Sequence, residues 1–134
     1  MDQFLKQYQI LFRKANVDYR SAQNLYEDFQ QGDSELDIDV ILFHLQQCAE
    51  KCLKSILSFR KINFPKVHDL ELLAKMVYEN RIALELNIDD LIELNDFAVE
   101  SRYAIIHDDL DNAEQYFQLL KKLVEQTEDL ISDV

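Results

Sequence analysis

The chain has 134 residues, with one Gly, one Pro, no Trp, 14 Lys and Arg against 26 Asp and Glu, and a formal charge of −12. That length suits one domain over 1–134, the shortage of turn formers favours few long helices, and the negative field repels nucleic-acid phosphate at long range, so any RNA contact has to be local. No apolar run approaches the ~20 residues of a membrane span, and MDQFLKQYQILFRK lacks the basic start, apolar core and small-residue cleavage site of a signal peptide, so the cytoplasm is expected.

The first predicted helix covers about residues 2 to 30, with Phe4, Tyr8, Leu11, Phe12, Ala15, Tyr19, Ala22, Leu25, Tyr26 and Phe29 as its apolar stripe, and Gly32 ends it. QGDSELD then supplies turn chemistry and a choice of caps in Asp33, Ser34 and Asp37. The central helix, 38 to 59, carries Ile38, Ile41, Leu42, Leu45, Ala49, Cys52, Leu53, Ile56 and Leu57 at steps of three and four, the spacing of one face of a 3.6-residue turn. Gln46, Gln47, Glu50, Lys51 and Lys54 fall largely on the other face and read as solvated. Leu53→Ala is therefore expected to cost on the order of 2–5 kcal/mol, and Lys54→Ala little. Cys48 and Cys52 stand one turn apart, a spacing of neither a zinc knuckle nor a redox pair, and read as buried thiols.

Asn63-Phe64-Pro65 stops this helix near Lys61, because Pro65 would break the ladder and biases Phe64 toward extended backbone. A shorter helix follows over about 69 to 80, with Asp69 as cap and His68 bonded to backbone or solvent. Residues 81 to 87 connect it to a helix capped by Asn87 that carries Ile88, Leu91, Ile92, Asn95, Ala98 and Val99 and ends between Arg102 and Ile106. The last helix begins near Asp111 or Asn112 and runs to about Leu130, burying Ala113, Tyr116, Phe117, Leu120, Leu123 and Val124. The expected fold is an all-α, up-and-down bundle of four or five helices around the 38 to 59 helix.

Charge is uneven along the chain. Residues 51 to 81 hold seven basic residues and three acids, whereas 85 to 111 hold nine acids and one cation, Arg102. The basic segment, which begins at Lys51, is either a solvated face or the landing area for phosphate. Arg102 either pairs with Asp96, Glu100 or Asp108 or belongs with His107. Cleaving a phosphodiester without a metal needs a proton-moving group near neutral pH and a cation on the phosphate, and His and Arg are those groups. On an unbroken helix five positions lie about 140° apart, so both face one phosphate only if the backbone changes near Ile106, where HDDLDN follows. The three histidines and two cysteines offer no converging ligand set for a metal, and with one Gly there is no phosphate-cradling loop.

Three stretches together resemble the HEPN domain family: VDYRSAQNLY (17 to 26) its first-helix pattern, HLQQCAEKCLKS (44 to 55) its second, and VHDLELLAK (67 to 75) the His-Asp-Leu segment that follows. The resemblance implies a small helical bundle, commonly a homodimer. Many members act as metal-independent ribonucleases or pair with minimal nucleotidyltransferases in toxin–antitoxin systems. It also implies a nuclease motif of Arg, four to six residues, then His, matched by Arg102 and His107 with four between. Many active members place Asn or another polar residue directly after the Arg and Tyr two positions after the His, where this chain has Tyr103 and Asp109, and other branches carry Arg-Tyr-Pro and are nucleotide-binding or uncharacterised rather than nucleases. The expectation is a homodimeric, toxin-type endoribonuclease with Arg102 and His107 catalytic, Tyr103, Asp108 and Lys51 touching substrate, and no metal or cofactor. The alternative is a non-catalytic module that binds nucleotide or a protein partner.

Overall fold

In the computed structural model, residues 6–32, 38–97 and 110–132 are described, without the side chains of 110–112. Five α-helices follow in order: α1 (Gln7–Gln30), α2 (Ile38–Phe59), α3 (Leu70–Glu79), α4 (Ile88–Glu93), which passes into a 3-10 turn (Leu94–Phe97), and α5 (Leu110–Leu130). Among the described residues there is no strand, and no helix is long and apolar enough to cross a membrane. The all-α bundle is the architecture that the patterning predicts.

α2 is the axis. Ile41, Leu45, Cys48, Ala49, Cys52, Leu53, Ile56 and Leu57 are buried along it, and α1, α3, α5 and the 3-10 turn all pack against it. α1 lies antiparallel to α2: the Ser55 hydroxyl near the end of α2 donates to the Tyr8 carbonyl near the start of α1 at 2.7 Å, while Lys51 meets Asp18 farther along α1. Ala15 and Ala22 are fully buried in this contact, where a side chain of one carbon lets the two backbones approach. Because four elements surround α2, little of it is left for water. Gln46 is 0% exposed and Glu50 4%, so the polar face expected there is an interior face at these two positions.

Helix boundaries show how the chain turns. Lys6 is extended and its backbone N–H donates to the Gln9 side chain at 2.8 Å, so α1 starts at Gln7, not near residue 2. Gly32 follows α1 with φ +96°, a left-handed value that a side chain strains to adopt. α2 ends through Lys61, which sits at φ 60° while the Ile62 N–H donates back to the Leu57 carbonyl at 2.9 Å. α3 repeats the device with Arg81 at φ 61° and Ile82 N–H on the Val77 carbonyl at 3.2 Å. A left-handed residue followed by a 6→1 hydrogen bond is the Schellman ending; it closes α2 four residues before Pro65, which is thus not what stops the helix.

Asp69 caps α3 by accepting from the Glu71 and Leu72 N–H groups, and Asn87 caps α4 by accepting from Asp90 N–H at 3.2 Å, both as the sequence predicts. The fourth helix is shorter than predicted: its α-helical part ends at Glu93, and the remainder of the predicted span, from Ala98 onward, lies outside the described residues. α5 starts at Leu110, within two residues of the predicted position.

Candidate functional site

The site predicted from sequence centres on Arg102 and His107, with Tyr103 and Asp108 beside them; all four lie outside the described residues. What is described is the frame on either side. Asn95, in the 3-10 turn, accepts from Leu70 N–H at 2.7 Å and donates to the Asp69 carboxylate at 3.1 Å, fixing the turn to the start of α3. On the other side, the Tyr116 hydroxyl of α5 donates to Glu93 of α4 at 2.6 Å, and the Gln115 amide donates to Asp90 at 3.1 Å. The elements that precede and follow the Arg102–His107 stretch are therefore hydrogen-bonded to each other. Burial and the hydrogen bond to Glu93 push the Tyr116 hydroxyl well above the usual phenol range, so it remains a donor.

Lys51, the fifth predicted site residue, is described, and its ammonium is paired with the Asp18 carboxylate. The other oxygen of Asp18 accepts from the His44 ring Nδ1 at 3.1 Å. Asp18 is only 8% exposed, so its charge needs these partners. The Lys51 charge thus has a partner within the chain, which reduces what it offers a phosphate.

A second cluster lies on the neighbouring strip of α2 and repeats the chemistry. Glu50 meets Lys54 at 3.0 Å and the His68 ring Nδ1 at 2.9 Å. Gln46 bridges the cluster to the loop before α3, donating to Glu50 at 3.4 Å and to the His68 carbonyl at 3.3 Å, and accepts from Gln47 at 2.7 Å. His68 is thus bonded through Nδ1 to a buried carboxylate while its side chain stays 65% exposed to solvent, as expected, and Lys54 is a partner of that carboxylate rather than a free surface cation. In both clusters a buried carboxylate, which only accepts, holds one Lys and one His and requires the proton on His Nδ1, directing each Nε2 elsewhere. Periodicity alone missed these groups. The signal that carries them is the i, i+4 series Gln46, Glu50, Lys54, with Asp18 interrupting an otherwise apolar stripe.

Cys48 and Cys52 are free and buried, as predicted. The adjoining Cys52 thiol and burial push the Cys48 thiol well up, so it stays protonated and is no nucleophile. Among the described residues no group of three or more His, Cys, Asp and Glu side chains is placed to hold a metal ion.

The chain is a helical bundle centred on one buried helix, with two carboxylate-centred clusters that tie it to its neighbours. The HEPN domain family model matches residues 8–130, and the chain belongs to that family. Its fold is similar to the crystal structure of an archaeal HEPN homologue, with a TM-score of 0.52 at 18% sequence identity, covering 95% of this chain and 93% of the other. No curated protein matches the sequence significantly.

Proposed function

We propose that this HEPN domain protein is a metal-independent endoribonuclease that works as a homodimer. The observation that carries the reading is the presence of Arg102 and His107, with four residues between them, in a chain of this family. In the proposed reaction His107 takes the proton from a ribose 2′-hydroxyl or returns one to the leaving 5′-oxygen. Arg102 holds the scissile phosphate and offsets the charge that builds on it. Tyr103 and Asp108 adjoin the pair and would contact substrate. Lys51 would do so through the hydrogens that Asp18 does not use. A two-fold contact duplicates the sparse Arg–His set without further sequence, and a minimal nucleotidyltransferase is the proposed partner of a toxin of this kind.

The competing reading is a HEPN module that binds nucleotide or a protein without cutting. Two observations favour it: the charge of −12, and the commitment of Lys51 and Lys54 to carboxylates. Purified protein incubated with several RNAs separates the two. Cleavage lost in both Arg102→Ala and His107→Ala, with helicity retained, supports the nuclease; intact RNA from a confirmed dimer supports the binding module.

A further inference from the structure

α1 and α5 enclose an open groove of about 290 Å³ whose lining includes no member of the two carboxylate clusters. Its floor is aromatic. The Tyr26 and Phe117 rings lie 4.9 Å apart and tilted by only 31°, and Tyr19 meets Phe117 edge-on at 6.0 Å. The Tyr19 hydroxyl donates to the Phe117 carbonyl at 3.4 Å, which fixes that ring. Glu27 on α1 and Glu114 and Lys121 on α5 line the groove, with Glu114 and Lys121 two turns apart along α5.

We propose that this groove receives the guanidinium of an arginine presented by a basic segment of a partner protein. A guanidinium is planar and weakly hydrated, stacks on aromatic faces and pairs with carboxylates through its fork of N–H groups. The groove offers both requirements, a tilted aromatic wall and two carboxylates in its lining. Its volume is at the lower bound for a small-molecule pocket and suits one anchoring side chain, the kind of buried Arg that dominates protein interfaces. A nucleotide fits less well, since its phosphate would meet Glu27 and Glu114 with Lys121 as the sole cation of the lining. A basic segment is drawn in by the negative field of the chain.

The test is a ¹⁵N NMR titration of the full chain with acetyl-Gly-Gly-Arg-Gly-Gly-amide, the Lys analogue, and AMP. The Arg peptide is expected to give saturable shifts centred on Gln23, Glu27 and Gln118, and to bind more tightly than the Lys peptide. A Glu27→Gln/Glu114→Gln double variant with unchanged helicity should bind it roughly three- to thirty-fold more weakly, as two exposed ion pairs are lost. Shifts scattered over the acidic surface, or no saturable shift in the groove, would overturn the proposal. So would equal binding by the double variant, or AMP moving the same resonances at lower concentration than the peptide; that last result would make the groove a nucleotide site.

Discussion

Glu50 shows how a charged residue becomes part of an interior. Its carboxylate is buried against Lys54, His68 and Gln46, and the desolvation cost of that charge is met only while the partners are present. Glu50→Ala, which strands the Lys54 ammonium and the Gln46 amide, is expected to lower unfolding free energy by about 3–5 kcal/mol in urea titration. Lys54→Ala leaves a buried carboxylate short of one partner and should cost about 1–3 kcal/mol, while Lys75→Ala on the exposed face of α3 should change stability by no more than about 0.5 kcal/mol. A Lys54→Ala variant as stable as Lys75→Ala would show that the cluster is incidental. The identity of Glu50 and Lys54 was legible in the sequence and their burial was not. A helical period reports which residues share a face but not how many neighbours surround the helix, and α2 has neighbours on nearly every side.

The caps that start α3 and α4 are legible in the sequence, and the device that ends α2 and α3 is not. Asp69 and Asn87 are short polar residues whose oxygens suit orphan N–H groups, and both caps are readable. Lys61 and Arg81 carry no such mark, because the left-handed position that closes a helix is ordinarily read from Gly or Asn. For a residue with a Cβ that backbone is unfavourable, so Lys61→Gly and Arg81→Gly should each stabilise the fold by about 0.5–1 kcal/mol. A loss of stability in both would mean that the long side chains contribute more than the backbone strain.

Tyr116 joins Gln115 in linking α5 to α4, and its hydroxyl is held protonated by burial and by Glu93. The sign follows from its raised value: the folded state keeps this proton while the unfolded state loses it above about pH 10, so the contribution is complete below that pH and fades as pH rises beyond it. Tyr116→Phe is expected to cost about 1–2 kcal/mol at neutral pH and to flatten the alkaline fall in melting temperature. An unchanged alkaline limb would assign that fall to other groups.

At the scale of the whole molecule, family and fold were legible because VDYRSAQNLY, HLQQCAEKCLKS and VHDLELLAK are the pieces that build the core: Asp18, Glu50 and His68 are the linked groups of the two clusters. The site was legible only as a spacing, Arg102 to His107, and a spacing does not report which way two side chains face. A protomer of 15.9 kDa that forms a dimer should scatter light with twice that mass at tens of micromolar; a monomer under those conditions would contradict the two-fold site. The most direct measurement of the nuclease account is the chemistry of the RNA ends released in excess chelator. Attack by the 2′-hydroxyl, with His107 moving the proton, leaves 2′,3′-cyclic phosphate, and the His107→Ala protein should release no such ends. Products ending in 3′-hydroxyl, or cyclic ends still released by His107→Ala, would contradict it.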